Sequence, residues 1–389
     1  MRSPLDLPTP DADALSHSER LQALIRATID QAGGHIGFDR YMELALYAPG
    51  LGYYSGGSQK FGEAGDFVTA PELSPLFSRT LARQVAEVLT AIPEGELLEF
   101  GAGSGTMAAT VLQELAALGR LPTRYRIMEL SGELRQRQQQ TIARQVPELL
   151  ERVEWLDALP AGFRGVVLAN ELLDAMPVQR FCIEHGEPHE LLVGWDGQRL
   201  TLATGAPDAA LFERLERLRQ EYSLSDGYCS EINLRAEQWI ATLGAMLEEG
   251  VALLIDYGYP QRVYYHPARS EGTLMCHYRH RAHSDALRWP GLQDITAHVD
   301  FTAIGEAALA AGLAVRGYTS QASFLLANGL TELLDGEEPG LREQLALSNQ
   351  IKRLTMPGEM GESFKVMALG KGWQGPLRGF SLRDERAGL

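Results

Sequence analysis

The run Leu97-Leu98-Glu99-Phe100-Gly101-Ala102-Gly103-Ser104-Gly105-Thr106 constrains this chain more than any other stretch. It reads as an apolar strand entering a glycine turn, followed by a helix over 107–118. Glycine has no Cβ, so the backbone can turn sharply and approach a ligand where a side chain would collide. The following helix would aim its N-terminal amides and positive dipole end into the turn. In an open parallel α/β sheet, that crevice beyond the carboxyl end of a strand is where ligands bind. Alternate glycines also occur at purely structural junctions, so the turn alone names no ligand.

The details narrow the choice. A dinucleotide fingerprint, Gly-x-Gly-x-x-Gly, would place its third glycine at position 106. Position 106 is Thr, and the third glycine comes one residue early, at Gly105. Glu99 precedes the first glycine by two residues. A carboxylate there repels a pyrophosphate but can anchor the ammonium group of a zwitterionic ligand. S-adenosylmethionine has an amino-acid end and no phosphate, so it fits better than NAD. Glu99, Gly101, Gly103 and Gly105 are the cofactor candidates that follow from the turn.

The other segments extend an α/β alternation. A second strand over 125–129 ends in Glu129, near the spacing at which a ribose-binding acid ends the second strand of a nucleotide-binding unit. Helices over 19–31, 38–46 and 75–89 precede the glycine turn, the last with Ser74 as cap and Pro75 at its first position. A helix over 133–145 and strands over 153–156 and 165–169 follow the second strand. The last of these runs into Asn170-Glu171-Leu172-Leu173-Asp174, placing Asn170 beside the cofactor strand. Glu171 and Asp174 would share one side if this segment is helical. Alternation over 181–202 suggests a β-meander, followed by helices over 209–222 and 233–247 and a buried strand over 251–255. The segment 260–300 is long, polar and aromatic with little periodicity, and a loop of that length in a compact domain is usually functional. Helices over 301–311, 321–329 and 341–354, with strands over 313–318 and 364–369, close the chain.

The expected organisation has five consecutive parts. A helical extension over 1–90 contributes to the site. The first part of a nucleotide-binding domain spans 91–180, an inserted lid or substrate subdomain spans 181–250, and the domain resumes over 251–372. Residues 373–389 read as a flexible tail.

Charge and cysteine usage bound the setting. A formal charge of −16 argues against general nucleic-acid binding. Cys182, Cys229 and Cys276 are scattered without a Cys-x-x-Cys pair, which suggests a reducing compartment and no disulfide framework. No window approaches the roughly 18 apolar residues of a membrane span. The N-terminal stretch carries Asp6, Asp11 and Asp13 and lacks an apolar signal core, so a cytoplasmic location is expected. Cys276, His277, His280 and His283 include metal-ligand types, but their spacing matches no standard zinc site, so no metal is expected.

Beyond the glycine turn, the chain resembles the MidA methyltransferases over about 41–369. The resemblance rests on Tyr41-Met42 with Gly52-Tyr53-Tyr54, the 65–72 run Gly-Asp-Phe-Val-Thr-Ala-Pro-Glu, and Asn170-Glu171-Leu172-Leu173-Asp174. It also rests on Asp256-Tyr257-Gly258, Gly272-Thr273-Leu274, the 294–301 run Asp-Ile-Thr-Ala-His-Val-Asp-Phe, and the 360–366 run Met-Gly-Glu-Ser-Phe-Lys-Val. It implies a class I S-adenosylmethionine-dependent methyltransferase fold: a seven-stranded, mostly parallel doubly wound sheet with an antiparallel last strand, an N-terminal helical extension and an inserted α+β subdomain. Mitochondrial members are complex I assembly factors that methylate an arginine of a complex I subunit. The expected acceptor is therefore a protein arginine, on a respiratory-complex-like subunit; a homodimer is compatible with the sequence.

A carboxylate pair can hold the planar guanidinium bidentately and receive its proton. Glu171 and Asp174 are the candidates, with His298 as an acid/base or positioning group. Asp66 and Glu72 form a reserve pair, and Tyr53, Asp256 and Asp300 complete the acceptor-side set. The tyrosine pairs 53–54 and 264–265 could line a guanidinium pocket by cation–π contact. Alternatives are another small-molecule or protein acceptor, and a cofactor-binding assembly factor that acts by docking.

Overall fold

The computed structural model describes residues 7–56, 69–334 and 341–389. The chain forms two compact units, each assembled from three segments: 68–173, 237–258 and 301–389 in one, 1–67, 174–236 and 259–300 in the other.

The first unit is built on a twisted sheet of seven strands. These are β1 (Glu96–Phe100), β2 (Tyr125–Met128), β3 (Val153–Leu156), β4 (Phe163–Asn170), β5 (Leu247–Tyr259), β6 (Ala314–Ser320) and β7 (Phe364–Lys371). Their spatial order is β3-β2-β1-β4-β5-β7-β6. Strands β1 to β5 pair in parallel, and β7 is antiparallel to both neighbours. Parallel strands covered on both faces read as continuous apolar runs. Val251, Ala252, Leu253, Leu254 and Ile255 are accordingly all buried. Because β1 leads outward to β2 and β3 while β4 leads the other way, chain direction switches between β1 and β4. That switch point is where an open α/β sheet leaves a crevice.

Two helices flank the glycine turn. Helix Pro75–Ala91 is capped by Ser74, whose side chain accepts from the Leu76 amide. Helix Thr106–Ala117 starts on Gly105 without a side-chain cap. The Thr106 amide donates to Ser104 Oγ (3.2 Å), and the amides that follow it open toward the turn.

The tail is not flexible. Trp373, Leu377 and Phe380 are buried in the core of this unit. The amides of Arg378 and Gly379 donate to Glu87 Oε2 (3.0 Å) and Gln84 Oε1 (2.7 Å) of helix Pro75–Ala91. The tail read as flexible because the apolar residues that dock it are too few to show a period.

The second unit holds helices Ala12–Gln31 and Phe38–Tyr47 and an antiparallel sheet in which strand Glu187–Trp195 pairs with His35–Gly37, Gln179–Glu184 and Leu200–Gly205. Strand Cys229–Ile232 pairs on the far side of Gln179–Glu184, with Cys182 directly opposite Cys229. These two residues form a disulfide, against the expectation of none. Cysteines 47 residues apart become cross-strand neighbours only through the sheet register. The 260–300 segment is also more ordered than its sequence suggests, with Met275–Tyr278 pairing antiparallel to both Arg281–His283 and Asp294–Thr296.

Candidate functional site

In the first unit, Gly101, Gly103 and Gly105 have φ of +65°, +53° and +84°, in the region that disfavours side chains. Their surroundings differ. A Cβ on Gly105 would lie 2.9 Å from the Gln138 backbone, so this glycine serves close packing against helix Gly132–Gln145. Among the described residues a Cβ on Gly103 would meet nothing within 4 Å, so the open side of the turn lies there.

Three acidic residues converge on this turn. Glu99 is buried on β1, where its Oε2 accepts from the Tyr125 hydroxyl at 2.6 Å. Burial, reinforced by the nearby Glu129 carboxylate, pushes its pKa up to about 7 despite the tyrosine bond. Glu129 follows β2 directly, and its Oε1 accepts from the Ser131 amide (2.9 Å) while Oε2 accepts from Gln138 (3.0 Å). Burial raises its pKa too, against those two bonds. Glu72, on the short helix Ala70–Leu73, accepts a hydrogen bond from the Ser104 hydroxyl. Expected on the acceptor side, Glu72 instead meets the glycine turn. Asp66 lies outside the described residues.

The end of β4 departs from the helical expectation. Residues 171–174 form bends and a turn rather than a helix. The i, i+3 argument for Glu171 and Asp174 therefore fails. Glu171 instead adopts φ +49°, a left-handed conformation for a non-glycine residue. Such a backbone costs about 1–3 kcal/mol and persists where the surroundings over-determine it. Here the Glu171 amide donates to Ile255 O (2.9 Å), and the Leu173 amide donates to Asp256 Oδ2 (3.0 Å). Asp256 also accepts from the Tyr257 amide at 2.9 Å and is buried. Assigned to the acceptor by sequence, Asp256 braces the turn that presents Glu171. Asn170 donates from Nδ2 to Glu171 Oε1 at 3.2 Å.

The other candidates lie in the second unit. Asp174 is buried, and its backbone oxygen accepts from the Ala297 amide (3.0 Å). His298 stacks face to face on Tyr259, with centroids 5.3 Å apart, and its amide donates to Thr273 Oγ1 (3.1 Å). Burial, with the Arg269 charge adding to it, brings its pKa down to about 4. At neutral pH its ring is therefore uncharged, and it is a weak base. Asp300 accepts from Gln261 Nε2 at 2.8 Å.

Tyr53 is a core residue, 2% exposed and edge-on to Tyr54. Tyr264 and Tyr265 are equally buried, their hydroxyls engaged by Thr273 and the Glu231 carbonyl. None of these three offers an open face to a guanidinium. Their bulk fills the core, a role that sequence cannot separate from pocket lining. Among the described residues there is no group of three or more His, Cys, Asp or Glu side chains able to hold a metal.

Two residues escaped sequence reasoning. Gln138 is fully buried between Glu129, Gly103 and Trp155. Its signal was a lone amide on the buried stripe of Leu134, Gln138, Thr141 and Ile142. Leu130, directly after Glu129, is 86% exposed, an apolar side chain open to solvent beside the turn-facing acid.

The strand order and the glycine turn at its switch point define a class I methyltransferase fold. A family model described as S-adenosyl-L-methionine-dependent methyltransferase matches residues 80–319, more than half of the chain, and the chain belongs to that family. A Burkholderia thailandensis protein crystallised with bound S-adenosyl-homocysteine is 48% identical, with a TM-score of 0.95 over 99% of this chain and 100% of that one. Curated relatives include the mouse mitochondrial protein arginine methyltransferase NDUFAF7, 31% identical over 86% of this chain and 81% of its own length. The Drosophila homologue of that protein is 29% identical, covering 95% of this chain and 89% of its own length. The expected cytoplasmic location is overturned by these relatives, which are mitochondrial proteins. An acidic N-terminal stretch without a signal core was too weak a basis for it.

The enzyme is thus an S-adenosylmethionine-dependent methyltransferase. Its residues fit that cofactor. Glu99 Oε1 and Asn170 Oδ1 are buried without a hydrogen-bond partner among the described residues, and the space over Gly103 is open. A buried acceptor without a donor is costly. A ligand carrying an ammonium and hydroxyls would satisfy both atoms.

Proposed function

We propose that this methyltransferase modifies an arginine side chain of a protein, of the respiratory-complex-subunit kind that the MidA resemblance implies. The observation that carries this reading is Glu171, a carboxylate held at φ +49° at the end of β4, next to the glycine-turn strand. Strained backbone at a strand end beside a ligand turn is typical of functional positions. The shared name of the curated relatives supports arginine as the acceptor.

S-adenosylmethionine supplies an electrophilic methyl group on its sulfonium. Glu99 and Asn170 receive the amino-acid end, Glu129 the ribose hydroxyls, and Gly101, Gly103 and Gly105 give the backbone close approach. Leu130 presents an apolar face to the adenine. An arginine guanidinium carries its proton at neutral pH and is a weak nucleophile. Glu171 accepts hydrogen bonds from the guanidinium, draws its positive charge away from the attacking nitrogen, and takes up the released proton. Asp174 assists as a second carboxylate, and neutral His298 acts as a positioning group for the acceptor. Asp66 and Asp300 contribute negative charge toward a cationic acceptor. Fixing nitrogen, methyl carbon and sulfur in line is the main service of the protein, since displacement requires collinearity.

Glu171→Gln tests this reading. It keeps the shape and removes the charge, so binding of S-adenosyl-homocysteine should change less than about threefold while methyl transfer to protein falls about 100-fold. Unchanged transfer by Glu171→Gln would remove Glu171 from the mechanism.

A further inference from the structure

We infer that Gln138 is a positioning residue for the cofactor, locking the Glu129 carboxylate to the glycine turn. This rests on reading Glu129 as the group that binds the ribose hydroxyls.

The hydrogen-bond geometry of Gln138 leaves one orientation. Trp155 Nε1 can only donate, and it lies 2.9 Å from the Gln138 side chain, so the atom facing it is the amide oxygen. The amide nitrogen then faces Glu129 Oε2 at 3.0 Å and the Gly103 carbonyl at 3.1 Å. Both are acceptors, so both protons of the amide are used. One fully buried side chain thereby ties together the edge strand β3, the residue after β2 and the middle of the glycine turn.

The consequence falls on Glu129. An ionised carboxylate offers about four lone-pair sites. The Ser131 amide and Gln138 occupy one on each oxygen, which fixes the rotation of the group. The Leu130 amide also favours the ionised group, and the carboxylate keeps a lone-pair site for a ribose hydroxyl. Burial disfavours the charged form of Glu129, and the Gln138 donor opposes that. The surrounding charges are Glu99 on β1, hydrogen-bonded to Tyr125, and Arg135 on the helix that carries Gln138. Arg135 donates to the Glu129 backbone oxygen at 2.9 Å and pairs with Asp157, so it steadies the main chain at that residue. Gln138 is the side chain that donates to the carboxylate itself. Its backbone also lies where Gly105 approaches most closely, so the same residue sets helix-to-turn spacing and carboxylate orientation.

The test is a double-mutant cycle read by titration calorimetry with S-adenosyl-homocysteine on the full chain. Gln138→Leu should weaken binding about tenfold, as expected when a buried carboxylate loses its donor. Glu129→Gln should weaken it at least as much. If Gln138 acts through Glu129, the double variant should bind no more weakly than Glu129→Gln alone. Additive losses, or unchanged affinity of Gln138→Leu beside weakened Glu129→Gln, would overturn the inference and leave the ribose reading standing. Unchanged affinity of Glu129→Gln would overturn the ribose reading and the inference with it. Should Gln138→Leu not fold, Gln138→Met keeps the length of the side chain and removes the donor to Glu129, and the same cycle applies to it.

Discussion

Glu99 shows how much a single side chain can be set by its place in the sheet. A carboxyl with an ordinary value of 4.5 is moved to about 7 by burial on β1. The folded value is raised, so this group's contribution to stability is fully present below 4.5 and is lost as pH rises through about 7. A ligand ammonium reverses that preference, because it favours the ionised form. Affinity for S-adenosyl-homocysteine should therefore rise about tenfold between pH 6 and pH 8, and Glu99→Gln should flatten the rise. Calorimetric titration at both pH values checks it. A pH-independent wild-type affinity would mean that Glu99 does not meet the ammonium. Glu99 was legible because the sequence places it two residues before the turn. The bracing contact of Asp256 was not legible because its partner amide at Leu173 lies 83 residues away, a contact that only the β4–β5 pairing creates.

At the level of elements, buried strands were the most legible. The apolar runs of β1, β4 and β5 announce a sheet covered on both faces. The turn after β4 was not legible, since its backbone is imposed by bonds to Ile255 and Asp256 rather than by local propensity. The disulfide and the docked tail share that origin in tertiary register. The tail offers a direct check on packing. Phe380 is buried edge-on to Phe324 with centroids 5.6 Å apart, and it packs closely on Gly317. Phe380→Ala should cost about 3–5 kcal/mol, as removal of a core aromatic does. Denaturant unfolding would register this as a lower midpoint, whereas a mobile tail would leave the midpoint unmoved.

At the scale of the molecule, the candidate residues fall in both compact units. The unit built on the seven-stranded sheet carries the glycine turn, Glu99, Glu129, Asn170 and Glu171, the residues proposed for the cofactor and the leading carboxylate. The other unit carries Asp174, His298 and Asp300, within a sheet and loops that sequence periodicity described only in part. The glycine turn announced its ligand because a turn and its flanking acids are local in sequence. The residues proposed for the acceptor come from segments far apart in the chain, and the tyrosines among them are buried in the core. The measurement that bears most directly on the central claim is quantitative mass spectrometry of arginine methylation in extracts of cells carrying, or lacking, the active enzyme. The expected result is at least one protein arginine whose methylation appears with the wild-type enzyme and is lost with Glu171→Gln. Enzyme-dependent methylation confined to small molecules or other side chains, with no methyl-arginine that depends on the enzyme, would contradict it.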